Sequence, residues 1–195
     1  TSHNSPWRID AAHFPAAGSL REKLTFLLDY AVLAPSSHNT QPWQFRLEGA
    51  AVEIFLDEYR WLQVADADQR ELHISVGCAL ENLLVAAEHF GLGYRCELMP
   101  DEFQPLLAAR VTLTEPGQPS ACRPARLFDM LTVRHTNHRS YDGRPIPPEL
   151  QTQLVACCVE PELMAYTTED QEIKRWVDNL VVQGDAIQFA KPEFC

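Results

Sequence analysis

The sequence predicts an α+β fold, and three observations support this class. Helix-like and strand-like segments follow one another in mixed order, without the regular strand-helix alternation that builds a parallel sheet. Residues 20 to 31 and residues 69 to 90 repeat apolar residues at helical spacing, and strand-like segments follow each of these stretches. The chain has 195 residues, of which 46% are hydrophobic, so it can bury a core of ordinary size.

The first helix has clear signals at both ends. Ser19 followed by Glu22 has the spacing of a capping box, and Pro35 ends the helical run. Beyond Trp43, Phe45 and Leu47 alternate with polar residues, residues 48 to 50 can turn, and residues 52 to 56 predict the returning strand of a hairpin.

The middle of the chain predicts a long helix and two more strands. The helix covers residues 69 to 90 and is small and apolar enough to be central and buried. Residues 94 to 98 and 110 to 114 predict strands. The proline-rich residues 115 to 119 predict a turn or linker, which divides the chain into lobes of residues 1 to 119 and 120 to 195.

The second lobe predicts a further mixture of helix and strand. We expect helices over residues 124 to 133 and from the prolines at 145 to 148 to about residue 155. A strand is expected near residues 163 to 167, and a last helix is expected to begin at Thr168.

The charge of the chain argues against several kinds of partner. The formal net charge of −11 disfavours nucleic acid and anionic membrane surfaces, which bind through lysine and arginine. The sequence has neither a run of about 20 apolar residues nor the pattern of a signal peptide. We therefore expect a cytoplasmic protein that binds neither nucleic acid nor membrane.

A polar loop directly follows the first helix. The hydrogen-bonding side chains between two prolines include those of Ser36, Ser37, His38, Asn39 and Gln41. Such side chains can satisfy backbone groups of the loop itself. Alternatively, they can bind the edge of a planar heterocycle such as flavin, whose pyrimidine side alternates acceptors and a donor. Both interpretations remain open at this point.

A basic segment interrupts the acidic chain. Residues 123 to 144 contain five arginines against two aspartates. Within it, Arg134, Thr136 and Arg139 combine permanent cations with a hydroxyl donor, a mixture that suits a phosphate group. A solvated surface is the alternative interpretation.

Both segments resemble known motifs. Residues 35 to 43, P-S-S-H-N-T-Q-P-W, resemble the P-S-S-x-N-x-Q-P-W signature of the nitroreductase superfamily of FMN-dependent oxidoreductases. Arg134-His135-Thr136 is similar to the R-R-S or R-H-S start of that family's phosphate site, and residues 141 to 145 resemble the Acg-type branch, in which two nitroreductase-like halves are fused.

This resemblance covers residues 24 to 194 and implies a nitroreductase-like fold, with helices around an antiparallel or mixed sheet. It also implies that the second half is truncated within the chain. In the family the phosphate motif precedes the P-S-S loop, whereas here it follows. The resemblance therefore implies that the first half supplies the loop and the second half the phosphate clamp of one FMN.

The resemblance also implies individual roles. It places five residues near the isoalloxazine ring or ribityl chain, namely Pro35, Ser36, Ser37, Asn39 and Gln41. It assigns the phosphate to Arg134, Thr136 and either His138 or Arg139, of which Arg139 is the permanent cation. His135 and Asn137 are expected to contribute mostly backbone groups.

Three further expectations concern a second cation near the flavin, a metal site and catalytic side chains. Arg70 is nominated as a cation near flavin N1 and the C2 carbonyl, against the equal alternative of an exposed cation in a first helical turn. The H-x-x-H spacing of His135 and His138 lacks the glutamate or third histidine of a zinc site, so no metal is expected. No catalytic side chain is expected, because the flavin N5 supplies the reactivity.

The implied function is that of a flavin enzyme. NAD(P)H reduces FMN, which then reduces nitro compounds, quinones or similar small acceptors. A protein that stores or sequesters FMN without turnover is the alternative. Because the family's flavin site lies at a dimer interface, a homodimer or an internal pseudo-dimer is expected.

Overall fold

The computed structural model describes residues 7–117, 120, 122–159 and 163–192. The chain divides into two compact units, Thr1–Thr136 and Asn137–Cys195. This division lies later than the predicted lobe boundary at residues 119 and 120, and the proposed limits of two family halves stay a prediction.

The first unit is a four-stranded antiparallel sheet with helices packed against it. The strand order is β1-β2-β4-β3. The strands are β1 (Trp43–Glu48), β2 (Ala51–Leu56), β3 (Gly93–Leu98) and β4 (Leu107–Thr114), and the helices are α1 (Leu20–Ala31), α2 (Arg70–His89) and α3 (Arg126–Leu131). The α+β class and the predicted hairpin are therefore confirmed.

Helix α1 forms where its sequence signals predict it. Ser19 Oγ accepts from Glu22 N at 3.3 Å, and Glu22 Oε2 accepts from Ser19 N at 2.7 Å, which completes the capping box. Leu24, Leu27 and Tyr30 are fully buried against α2 and the sheet. The apolar spacing of α1 thus builds one wall of the core.

Helix α2 begins at Arg70 and is capped from outside by a buried aspartate. Asp66 Oδ1 accepts from Glu71 N at 2.8 Å, and Asp66 Oδ2 accepts from Leu72 N at 2.8 Å. The preceding residue, Gln69, is left-handed (φ 61°) and provides no side-chain cap. Asp66 therefore satisfies two of the open N–H groups at this end and complements the helix dipole.

The outer face of the sheet carries a buried carboxylate between two arginines. Arg46, Glu53 and Arg110 lie directly opposite one another on β1, β2 and β4. Glu53 is 1% exposed, and its two oxygens lie 2.5 Å from Arg46 Nη2 and 2.5 Å from Arg110 Nη2. The hydrogen bond from Arg110 lowers the pKa of Glu53, burial opposes this, and Arg46 adds to the lowering.

Glu88 of α2 binds the part of the chain that follows β4. Glu88 Oε2 accepts from Ser120 N at 2.8 Å, and Glu88 Oε1 accepts from Tyr94 Oη at 2.6 Å and from Arg123 Nη1 at 3.2 Å. Burial raises the pKa of Glu88, but these hydrogen bonds outweigh it and hold the pKa below its ordinary value. This network explains why residues 120 to 136 belong to the first unit. Gln118 and Pro119 of the predicted linker lie outside the described residues.

The second unit contains α4 (Pro148–Ala156) and α5 (Gln171–Phe189). The predicted strand near residues 163 to 167 is wrong, because the structure has an irregular segment there. The last helix is capped by Asp170, whose Oδ1 accepts from Glu172 N at 2.7 Å, and not by Thr168. In the part of the chain that the structure describes, no helix is long and apolar enough to cross a membrane.

Replacing Glu53 with glutamine should destabilise the first unit. We expect Glu53→Gln to lower the free energy of unfolding near neutral pH by about 1–3 kcal/mol, because two charge-assisted hydrogen bonds lose their carboxylate. The folded pKa of Glu53 is lowered, so its stabilisation is present above the unfolded pKa and is lost as the pH falls through the folded pKa. Urea unfolding of both proteins at neutral and acid pH should show the difference shrinking in acid.

Glu102→Gln is the matched control, since Glu102 is exposed on the β3–β4 loop and should change stability little. A Glu53→Gln protein as stable as this control at neutral pH would contradict the role of the carboxylate.

Removing the Asp66 cap should weaken α2 at its first turn. Asp66→Ala should cost about 0.5–2 kcal/mol, the usual cost of losing a helix cap. Asp68→Ala is the control, because Asp68 is exposed and, among the described residues, accepts only from Arg70 N at 3.3 Å. Urea unfolding and amide exchange at residues 70 to 75 test this expectation, which equal effects of the two substitutions would refute.

Candidate functional site

The polar loop begins at the C-terminal end of α1, where helix carbonyls need partners. Three side chains, one from the loop itself and two from distant parts of the chain, bind carbonyls there: Gln41 Nε2 donates to Val32 O at 3.2 Å, Asn82 Nδ2 to Tyr30 O at 3.1 Å, and Arg134 Nη2 to Leu33 O at 3.2 Å. Leu33 and Arg134 are 101 residues apart in sequence. The fold thus brings Arg134, in the middle of the basic segment, to Leu33, which shortly precedes the polar loop.

The loop has an unusual backbone. His38 (φ 50°), Asn39 (φ 57°) and Gln41 (φ 50°) all lie in the left-handed region. That conformation costs a residue other than glycine roughly 1–2 kcal/mol. The loop therefore depends on hydrogen bonds from its surroundings to keep its shape.

The inner side of the loop supplies these hydrogen bonds. Ser36 Oγ accepts from Gln41 N at 2.9 Å across the loop. Ser75 Oγ on α2 accepts from Ser37 N at 3.2 Å, and Arg60 Nη1 donates to Gln41 O at 3.0 Å. These contacts support the interpretation that Ser36 and Gln41 serve the loop itself.

Little space remains behind the loop. A cavity of about 10 Å³ lies there, lined by Ser37, Thr40, Arg60, Asp66 and Ser75 among others. This volume is close to the minimum for one water molecule. This cavity is therefore too small for a flavin ring.

The remaining predicted ring contacts are Ser37, Asn39 and Pro35. Ser37 is half-buried and Asn39 is exposed. Within the described residues, neither the Ser37 hydroxyl nor the Asn39 carboxamide has a hydrogen-bond partner, so both can meet a ligand. Pro35 is half-buried beside them in sequence.

Arg134 is the residue of the basic segment that the structure places at the loop. Its side chain is half-buried, with Cζ 5.9 Å from the ring centre of Trp7. The charge of Arg134 also acts on the Cys78 thiol of α2. Burial raises the pKa of this thiol, and the charge of Arg134 opposes part of the increase. Nη2 binds Leu33 O. Within the described residues, the other guanidinium N–H groups have no hydrogen-bond partner.

Residues 135 to 139, which follow Arg134, are exposed. His135 and Thr136 follow Arg134 in the first unit, and His135 Nδ1 lies 3.3 Å from Val133 O. Asn137, His138 and Arg139 belong to the second unit, where Asn137 Oδ1 accepts from Arg139 N at 3.1 Å. Their predicted phosphate contacts stay predictions.

The position of Arg70 agrees with the alternative interpretation, an exposed cation in the first turn of a helix. It is the first residue of α2 and is exposed. Among the described residues, its guanidinium has no ion-pair partner. Its predicted role near flavin N1 stays a prediction.

Sequence reasoning missed the residues that support the loop. Asn82, Ser75 and Arg60 contact the loop or the end of α1 only after the chain has folded, so no local pattern marks them. Asp66 does have a local signal, because an aspartate shortly before a helix is a typical cap.

The site combines uncharged hydrogen-bonding groups with one positively charged side chain. It offers a hydroxyl, a carboxamide and the free donors of Arg134, a set that fits both the ring edge and the phosphate of a flavin nucleotide. The described residues contain no group of three or more histidine, cysteine or acidic side chains that could hold a metal ion.

Known proteins with similar sequences come from Mycobacterium tuberculosis. Over 135 residues the chain is 35% identical to "Putative NAD(P)H nitroreductase Rv3131", an alignment that covers 69% of this chain and 38% of the relative. It is 28% identical over 139 residues to "Putative NAD(P)H nitroreductase acg", covering 69% of this chain and 42% of that protein. The chain thus spans roughly two fifths of the length of these curated relatives.

Two solved structures show weaker likeness. A "putative nitroreductase in complex with fmn" from Desulfovibrio desulfuricans is 21% identical, with a TM-score of 0.39, and the match covers 52% of this chain and 78% of that one. The "Nitroreductase Family Protein" from Streptococcus pneumoniae is 19% identical, with a TM-score of 0.37, covering 53% and 86%.

No family model matches the chain. The similarity to the mycobacterial proteins extends over more than two thirds of this chain. By that similarity, the chain belongs to the nitroreductase superfamily.

Proposed function

We propose that this chain forms part of an FMN-dependent oxidoreductase that uses NAD(P)H and reduces nitro compounds, quinones or similar small acceptors. The observation that carries the proposal is the hydrogen bond from Arg134 to Leu33 O, which joins the basic segment to the polar loop across 101 residues of sequence. Hydrogen-bonding groups for a flavin ring and a cation for its phosphate thus occur at one place.

The outer side of the loop is proposed to bind the flavin ring. Ser37 and Asn39 present a hydroxyl and a carboxamide that can donate to and accept from the pyrimidine edge. Ser36 and Gln41 act indirectly, since their side chains hold the loop in its left-handed conformation.

Arg134 is proposed to bind the phosphate. The remaining donors of its guanidinium can pair with phosphate oxygens, and Thr136 can add a hydroxyl donor. The contact with Leu33 O fixes the side chain in advance, so less of its conformational freedom is lost on binding. Asn137, His138 and Arg139 remain candidates for the same group.

When bound, FMN supplies the hydride and electron transfer chemistry. The protein's own contribution is binding and orientation, because Ser37, Asn39 and Arg134 hold the two ends of the nucleotide. No side chain of the loop needs to act as an acid or base in this scheme.

The names of the mycobacterial relatives support NAD(P)H as the reductant. Because the chain spans only 38% and 42% of those proteins, the acceptor and the assembly of the whole protein are proposals. We propose a homodimer or an internal pseudo-dimer, since a ligand on the exposed outer side of the loop needs a further surface to cover it.

Replacing Arg134 should weaken FMN binding. Arg134→Ala removes a charge-assisted contact of about 1.5–3 kcal/mol, so the Kd for FMN should rise by roughly 10- to 150-fold. Arg134→Gln keeps a donor for Leu33 O but loses the charge, and it should also bind FMN more weakly. Fluorescence titration of the purified protein with FMN measures both effects.

Arg144→Ala is the control, because Arg144 is an exposed arginine of the same basic segment that pairs with Asp142. It should leave FMN affinity unchanged. Equal affinity of Arg134→Ala and the unaltered protein would count against the phosphate assignment.

Turnover separates an enzyme from a flavin-storing protein. Protein loaded with FMN should lose its yellow colour when NADH or NADPH is added without oxygen, and should regain it with a nitroaromatic compound or a quinone. Stopped-flow absorbance measures both steps. A flavin that neither nucleotide reduces would favour storage.

A further inference from the structure

We propose that Ser75 is a positioning residue for the polar loop, residues 36 to 41, and that it sets the loop's conformation for FMN. This proposal rests on the FMN site proposed above. It concerns a residue of α2 that has no place in the loop motif.

The geometry of Ser75 is specific. Its hydroxyl donates to Glu71 O at 2.7 Å, one turn earlier in α2. A hydroxyl has one proton, so this bond directs the lone pairs of Oγ to other donors. The backbone N–H of Ser37 meets them at 3.2 Å.

Ser75 lies between the apolar core and the small polar cavity behind the loop. Ser75 is 3% exposed, and its helix neighbours Leu72, Val76 and Ala79 belong to the core. Serine is a poorer helix former than alanine, and a buried hydroxyl costs free energy unless it is hydrogen-bonded. Its hydrogen bonds to Glu71 O and from Ser37 N together offset this cost.

The anchored amide lies at the critical point of the loop. Ser37 immediately precedes His38, where the backbone enters the left-handed region. The far end of the loop is held by Arg60 at Gln41 O. With both ends fixed, the Ser37 hydroxyl and the Asn39 carboxamide keep one orientation on the outer side.

The test compares FMN affinity, stability and amide exchange in Ser75 variants of the purified protein. Ser75→Ala should raise the Kd for FMN by roughly threefold to tenfold, the effect of one hydrogen bond. In the absence of FMN, the backbone amide of Ser37 should exchange faster in Ser75→Ala than in the unaltered protein. The urea midpoint should change little, because alanine favours the helix.

Two further variants separate the loss of the Ser75 hydroxyl from a general loss of stability. Ser75→Thr retains a hydroxyl and should restore affinity, whereas Ser75→Cys, of similar size but a weak acceptor, should behave as Ser75→Ala. Thr25→Ala is the control, because Thr25 Oγ1 donates to Arg21 O at 2.9 Å with the same helical spacing but does not contact the loop.

The outcomes are distinct. If the unaltered protein and Ser75→Ala bind FMN equally well, the positioning role of Ser75 is overturned, but the proposed function is not. Failure of the unaltered protein to bind FMN overturns the proposed function and the positioning role with it. Weaker binding by Ser75→Ala and Ser75→Cys, with recovery in Ser75→Thr, supports the proposal.

Discussion

The carbonyl groups at and just beyond the end of α1 are the constraint on which the site depends. Asn82, Gln41 and Arg134 donate to three of them, those of Tyr30, Val32 and Leu33. One donor comes from α2, one from the polar loop and one from beyond α3. The end of α1 thus holds the adjacent loop and two distant segments together, and the positive guanidinium also complements the negative end of the helix dipole.

This arrangement divides the motif residues into two groups. Ser36 and Gln41 are engaged in the loop and the helix end, so their polar groups maintain conformation. Ser37, Asn39 and the free donors of Arg134 remain for a ligand. The two interpretations of the loop, structural and ligand-binding, therefore both apply, but to different side chains.

Local signals predicted much of the fold, and their failures have physical reasons. The capping box at Ser19 and the hairpin around Gly49 depend on neighbouring residues, so both are readable in the sequence. Residues 163 to 167 have strand-like composition, but a strand also needs a hydrogen-bonding partner. Asp170 caps α5 in place of Thr168, since a carboxylate also favours the positive helix end.

The sequence by itself determined the α+β class, the order of the main elements and the polar and basic segments. Only the tertiary structure decided which side chains face outward, that Arg134 meets Leu33, and that Ser75 and Arg60 support the loop. It also decided that residues 120 to 136 stay with the first unit, because Ser120 and Arg123 bind Glu88. The reason is the same in each case. Helix caps and turns depend on residues a few positions apart, whereas these contacts join residues that only folding brings together.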